Sequence, residues 1–507
     1  MSQSDTDVSR PDLSLGVTVE EIPEHGVMAG RVGDQPVILA RVDGEIVALD
    51  GACTHYSGPL HEGLRVGGTI NCPLHHACFD LRTGAALKAP ALAPLDRWKV
   101  EIEDERIFVR EKLPKSAPSL APGRDASGDP EAIVIVGGGA AGFAAAQRLR
   151  DLGFAGDLTL VSADRDAPYD RPNVSKDYLS GDADPSWMPL KSEGFYRKRA
   201  IALRLDTRVE AIDTAERRVT LQGGETLGYD RLLLATGAEP NRPPGPDFAR
   251  DNVHVLRSLA DADRLIAALG SARRAVVVGS SFIGLEAAAA LRIRGLEVNV
   301  VGPDATPLEA KLGPELGAMI KAVHDERGVV FHLGRKVQGF DGARLTLDDG
   351  STIETDLVVL GIGVRPRLEL AQAAGLIVDR GVVVDEALRT SDPHVFAAGD
   401  IARYPGFGDE LVRVEHWVAA ERQGQTAAAA MLGLPPEHEP PYFWSAHYDL
   451  TIRYVGHAER WDRIEVIGST ADHDAEVRYI DGERLVAVAT VNRDMAALQA
   501  AQVLAGD

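Results

Sequence analysis

Two rhythms of apolar and polar positions divide the chain. From about Val17 to Arg110 the apolar runs are short: Val37–Ala40, Ile46–Leu49 and Thr69–Cys72 are broken by Asp43-Gly44, Gly51 and Gly67-Gly68. Lys99–Glu103 alternates like a half-buried strand, and Asp104-Glu105 turns it into Arg106–Arg110. Successive strand side chains face opposite ways, so this pattern predicts a small all-β unit. Beyond it the rhythm becomes strand–turn–helix. Ala132–Val136 is continuously apolar, and Gly142–Leu149 follows as a small-residue helix. The same order returns at Ala275–Val278 and Gly284–Leu291, an internal repeat offset by 142 positions from Gly137 to Gly279. Buried strands alternating with helices predict two doubly wound α/β domains. After Pro440 the chain returns to strand-like pieces, Leu450–Val455 and Leu485–Thr490, which predict a closing α+β unit.

Between the two rhythms, residues 112–130 (KLPKSAPSLAPGRDASGDP) are rich in Pro, Ser, Gly and Ala and offer little to bury. That is linker composition. A chain of 507 residues exceeds one comfortable core. The expected order is an all-β unit over 17–110, a linker over 111–130 and the first part of one dinucleotide domain over 131–254. The second dinucleotide domain follows over 255–378, the first resumes over 379–435, and the α+β unit takes 436–507.

Charge and composition narrow the function. The formal net charge of -22 argues against nucleic-acid binding, since no basic excess draws phosphates. Met1–Leu13 is polar and lacks the basic and apolar regions of a secretory signal, and no stretch has the length and purity of a membrane span. A cytoplasmic protein is the expectation. The three cysteines all lie between positions 53 and 78, too few for a disulfide framework.

Those cysteines sit in a pattern. CTHYSGPLHEG puts Cys53 and His55 on one Gly/Pro-rich loop, and CPLHHACFD puts Cys72 and His75 on another. Two thiolates and two imidazoles can hold either zinc or a [2Fe–2S] cluster. Zinc fingers usually pair cysteines at tighter spacing, whereas each loop here gives one Cys and one His, which favours the cluster. C-x-H, sixteen residues, then C-x-x-H, with Gly58-Pro59-Leu60 after the first pair, resembles the Rieske signature over roughly residues 17–110. The resemblance implies that Cys53, His55, Cys72 and His75 are the cluster ligands. High-potential Rieske proteins carry a further Cys in each loop, joined as a disulfide, where this chain has Gly58 and Leu74. They also place a Ser and a Tyr hydroxyl near the sulfurs, where this chain has Ala77 and Phe79. Fewer hydrogen bonds to sulfur imply a low potential. Cys78 reads as a small buried hydrophobe, and His76 as exposed rather than ligating.

The repeat carries two glycine fingerprints. Ile133–Val136 runs into GGGAAG, with Gly137, Gly139 and Gly142 at the G-x-G-x-x-G positions. Gly137 allows the tight turn, Gly139 the close approach of pyrophosphate, and the helix N-terminus faces the anion. Asp164, after strand Leu158–Val161, is the candidate for the adenosine ribose. The second fingerprint, GSSFIGLE, keeps Gly279 and Gly284 but has Ser281 in the middle, a side chain where a phosphate usually approaches. Gly302 stands where NAD-preferring sites carry an acid, and no arginine cluster for a 2′-phosphate follows, so the pattern selects neither NADH nor NADPH.

LLLATG at 232–237, VVLGIG at 358–363 and VFAAGD at 395–400 are apolar strands ending in glycine. They resemble the hallmarks of two-dinucleotide-domain flavoproteins, and RPNVSK at 171–176 resembles the flavin-contact segment of ferredoxin reductases and apoptosis-inducing-factor relatives. The resemblance implies FAD and NAD(P)H as cofactors. It places Asp400 with Gly399 at the ribityl chain, Thr236, Gly237 and Arg171 along the FAD site, and Lys176 beside the flavin with Glu286 at its nicotinamide side. EHW (Glu415, His416, Trp417) matches a segment near the isoalloxazine ring, and WSAHY one whose Trp444 approaches that ring. The full layout resembles Rieske-fused, apoptosis-inducing-factor-like oxidoreductases.

No cysteine follows Cys78, so a redox cysteine pair beside the flavin is unavailable to residues 131–507. The expected reaction is oxidation of NAD(P)H by FAD, with electrons leaving through the Rieske cluster to an external acceptor protein or small oxidant. Two alternatives stand beside it: a reductase of quinone or oxygen, and a redox-responsive interaction protein with slow turnover. A homodimer is compatible with either layout.

Overall fold

The computed structural model describes residues 10–114, 126–406 and 410–506. Residues 115–125 of the expected linker lie outside the described residues. The chain divides into two units, residues 1–124 with 151–153 and 493–507, and residues 125–150 with 154–492.

The first unit is all-β apart from short turns and the helix Asp494–Gly506. Its larger sheet runs Val17–Thr18, Arg106–Lys112, Arg97–Glu103, Glu45–Asp50, Gln35–Val42 and Met28–Val32, antiparallel throughout. Asp104 and Glu105 turn the expected hairpin with φ of 47° and 62°. Gln35–Val42 explains its own unbroken apolar run. Val37 and Leu39 enter a core with Trp98, Ile107 and Val109, while Ile38 and Ala40 enter another with Leu60, Ile70 and Phe79. Alternate residues thus feed two cores on opposite faces. A smaller sheet, Leu64–Val66, Thr69–Asn71, Cys78–Asp80 and Ala86–Lys88, covers the second core, which includes Cys53 and Cys72.

The second unit holds two five-stranded parallel sheets. One is ordered Ile201–Arg204, Asp157–Val161, Ala132–Val136, Arg231–Leu234 and Val395–Ala397. The other is ordered Val253–Val255, Leu357–Leu360, Arg274–Val278, Glu297–Gly302 and Val329–Leu333. Their central strands are buried on both faces, which is why they read as continuous Val, Ile and Leu. The pairing of Leu232 with Val395 shows the chain returning to its first sheet after building the second. Each fingerprint helix begins two residues before its third glycine, at Ala140 and Phe282, rather than at the glycine itself. A five-stranded antiparallel sheet spanning Tyr442–Val491 completes the unit.

Candidate functional site

In the first unit the two ligand loops are built alike. Cys53 N–H donates to the Gly58 carbonyl at 2.9 Å and Ser57 N–H returns to the Cys53 carbonyl at 2.9 Å. Cys72 N–H donates to the Ala77 carbonyl at 2.8 Å and His76 N–H to the Cys72 carbonyl at 3.1 Å. Both thiols are buried, and the His55 and His75 Nδ1 atoms face one another at 3.1 Å with rings at 83°. Burial holds His55 neutral, pushed down to about 4, so a ring nitrogen keeps a lone pair for a metal. The Cys72 thiol beside Cys53, and then burial, push the Cys53 thiol far up; a resident cation reverses that preference. Among the described residues no three His, Cys, Asp or Glu side chains gather as a single ion requires. The donors form a thiol pair and an imidazole pair, an arrangement that fits two irons rather than one zinc.

The departures from the high-potential pattern are adjacent in space. A Cβ on Gly58 would stand 3.0 Å from Leu74 Cγ and 2.7 Å from Cys72 Sγ. Ala77 and Phe79 are fully buried and bring no hydroxyl to the thiol core. Cys78 is buried in its strand. His76 is a correction: it is buried, not exposed, because its left-handed backbone (φ 59°) folds the residue back into the loop. Tyr56, which spacing gave no reason to single out, stacks on His55 at 4.1 Å and 18°.

In the second unit a cavity of ≈ 2000 Å³ reaches both fingerprints. At the first, a Cβ on Gly137 (φ 121°) would meet the Ala235 carbonyl at 2.1 Å, and one on Gly142 would meet the Gly137 carbonyl at 1.9 Å. Gly139 has nothing within 4 Å and lines the cavity, leaving its backbone open to a phosphate. The second repeats this: Cβ atoms on Gly279 and Gly284 would meet the Gly361 and Gly279 carbonyls at 2.3 and 2.1 Å. Gly142, Gly279 and Gly284 therefore serve helix–strand contact and do not line the cavity. Ser281 obstructs less than expected, because its hydroxyl turns back to the Gly361 carbonyl at 2.9 Å.

The other expected residues line the same cavity. Asp164 accepts from Tyr169 Oη at 3.0 Å and lies 4.0 Å from the Arg171 guanidinium. Arg171 donates to the Arg257 carbonyl at 2.6 Å, and the Arg257 guanidinium holds Asp400 at 2.5 Å. Thr236 donates to the Arg367 carbonyl at 3.0 Å beside Gly237 (φ 65°), and Gly399 N–H donates to Gln423 Oε1 at 2.7 Å. Glu415 pairs with Arg413. Trp417 and Trp444 line the wall, the latter stacked 27° from Tyr442. His416 packs 4.2 Å from Phe443, burial pushes it down to about 3, and its buried Nδ1 has no partner among the described residues. An unmet polar atom at the wall of a glycine-floored cavity fits a bound heteroaromatic group. Lys176 Nζ meets Glu286 Oε2 at 2.8 Å, with Glu286 3% exposed.

Three family models cover the chain: Rieske [2Fe-2S] domain over residues 16–99, pyridine nucleotide-disulphide oxidoreductase over 131–424 and reductase C-terminal over 442–507. The chain belongs to the pyridine nucleotide-disulphide oxidoreductase family. It is similar to apoptosis-inducing factor 3 of Homo sapiens, 32% identical across 94% of this chain and 81% of that protein. It is also similar to putidaredoxin reductase CamA of Pseudomonas putida, 38% identical across 73% of this chain and 91% of the other. Among solved structures, the covalent putidaredoxin reductase–putidaredoxin complex matches with TM-score 0.72 and 37% identity over 75% of this chain and 94% of that one.

This member of the pyridine nucleotide-disulphide oxidoreductases is an NAD(P)H-dependent flavoprotein with FAD, a nicotinamide nucleotide and a Rieske [2Fe–2S] cluster as cofactors. Unlike the family's name, it has no cysteine within 131–424. Ser175, Ser445, His447 and Arg257 were not singled out by sequence. The first three sit inside the segments RPNVSK and WSAHY, and Ser445 and His447 share one face of the strand Tyr442–His447.

Proposed function

We propose that the protein oxidises a reduced nicotinamide nucleotide and passes the electrons through its own Rieske cluster to an external acceptor. The observation that carries this is one cavity reaching both fingerprints, with the Lys176–Glu286 pair in its wall. FAD, when bound, accepts a hydride and releases electrons singly. Gly137 and Gly139 would seat its pyrophosphate, Asp164 its ribose and Asp400 its ribityl chain. Arg257 fixes the Asp400 carboxylate for that contact. Lys176 would present its ammonium to the flavin, with Glu286 compensating the charge behind it. Trp417, Trp444 and Phe443 line the cavity and would exclude water from the flavin ring.

Relatives named putidaredoxin reductase and rubredoxin-NAD(+) reductase take separate redox proteins as partners by their names. Here a cluster domain is fused, which supports an internal relay before the external acceptor. A cytoplasmic homodimer belongs to the same proposal; among the described residues no helix is long and apolar enough to cross a membrane. Stopped-flow mixing with NAD(P)H, reading flavin and cluster separately at several protein concentrations, tests the route. Cluster bleaching should follow flavin reduction at a concentration-independent rate. Full flavin reduction over an oxidised cluster sinks it. The match to apoptosis-inducing factor 3 across both units supports the slow, redox-responsive reading, and long-lived flavin–nicotinamide charge-transfer absorbance would favour that one.

We also propose that the cluster is of the low-potential kind. Phe79→Tyr should then raise its midpoint by about 60 mV, the one-electron equivalent of a hydrogen bond worth about 1.4 kcal/mol. An EPR-monitored redox titration measures this, and an unmoved midpoint would refute the explanation.

A further inference from the structure

Behind the Lys176–Glu286 pair lies a row of buried polar groups that hydride transfer does not use. Glu286 Oε2 accepts from Lys176 Nζ at 2.8 Å and Ser175 Oγ at 2.7 Å. Glu286 Oε1 lies 2.7 Å from Ser445 Oγ, which lies 3.2 Å from His447 Nε2. His447 Nδ1 in turn lies 3.2 Å from His324 Nε2. Ser445, His447 and His324 are all fully buried, and His324 Nδ1 ends the row with no partner among the described residues.

Counting hydrogens gives the row a direction. A carboxylate has no proton to give, so Ser445 must donate to Glu286. The hydroxyl has one hydrogen, so the contact with His447 requires Nε2–H as donor. Burial keeps both imidazoles neutral, each pushed down to about 3. A neutral His447 that donates from Nε2 must accept at Nδ1, so His324 donates from its own Nε2. That leaves a lone pair on His324 Nδ1, the atom without a partner. Reversal would turn the Ser445 lone pairs toward Glu286 Oε1 at 2.7 Å and leave that oxygen without its donor.

We propose that Ser445, His447 and His324 form a one-way donor chain that fixes the Glu286 carboxylate and thereby positions Lys176 at the cavity wall. Both histidines are Nε2–H tautomers. This rests on reading Lys176 as the flavin-side lysine. With donors on both oxygens the carboxylate cannot turn, and the ammonium stays where charge at the flavin is useful.

The test uses the FAD-loaded, full-length protein. 15N spectra of histidine-labelled oxidised enzyme without nucleotide, assigned with His447→Gln and His324→Gln, should show Nε2–H at both positions. An Nδ1–H tautomer at His447 overturns the chain. Ser445→Ala should slow NAD(P)H-driven flavin reduction about tenfold with KM within about twofold, the loss of roughly one hydrogen bond to a charged group. Ser445→Thr should restore most of the rate. If Ser445→Ala does not fold, His447→Gln, which can still donate to Ser445, should be faster than His447→Leu; equal rates refute the proposal. Lys176→Met separates the two readings. A fast Lys176→Met removes the lysine's role, whereas a slow one beside a wild-type-like Ser445→Ala removes only the donor chain.

Discussion

Replacing Cys72 with alanine should empty the first unit of iron while flavin reduction in the second unit continues. Cys72 is 1% exposed, one of the two thiols in a core shared with Ile70, Ala77 and Phe79. Its backbone is tied to Ala77 and His76, which fixes the loop that presents the thiol. One thiolate cannot hold an iron that needs two, and the imidazole pair cannot make up the charge. The variant should lose cluster iron, acid-labile sulfide and the EPR signal of the reduced cluster. Acceptor reduction should fall to background, since the proposed route runs through the cluster that the variant lacks. NAD(P)H-driven bleaching of the flavin should keep its wild-type rate. Cys78→Ala is the control, since Cys78 lies in a strand and not on a ligand loop; it should retain full iron. Stoichiometric iron in Cys72→Ala would overturn the ligand assignment.

The Rieske domain was legible in the sequence, and the four proposed ligands stand out there, because ligand chemistry imposes short, local spacings: C-x-H and C-x-x-H each fit within one turn. The doubly wound fold class was equally accessible, since strands buried on both faces must be apolar throughout. What escaped depends on backbone conformation or distant contact. His76 looked exposed because its φ of 59° leaves no mark in a spacing pattern. Ser281 looked obstructive because the carbonyl that receives its hydroxyl belongs to Gly361, far along the chain. Ser445 and His447 sit in a stretch noticed for its tryptophan. Their partner Glu286 lies 159 positions from Ser445, a contact that only the folded second unit creates. The alternation of Phe443, Ser445 and His447 along one strand face was the available signal.

Lys176→Met should separate what the buried ion pair does for stability from what it does for hydride transfer. Lys176 is 16% exposed and Glu286 3%, so the pair is out of reach of most solvent screening. Removing the cation leaves a buried carboxylate with, among the described residues, only the Ser175 and Ser445 hydroxyls as donors. Breaking a buried pair on one side costs about 3 kcal/mol, a Tm loss on the order of 5 °C for a unit of this size. Flavin reduction by NAD(P)H should fall by on the order of 100-fold, as for removal of one preorganised charge at a reacting centre. Adding Glu286→Gln removes the stranded charge, so the double variant should regain most of the lost Tm. Its reduction rate should stay low, because the ammonium is still missing. Stability returning without activity would assign the lysine to the flavin and the glutamate to holding the lysine. If the rate returned along with the Tm, the pair would be a packing feature only, and the positive charge at the flavin would have to come from elsewhere in the cavity wall.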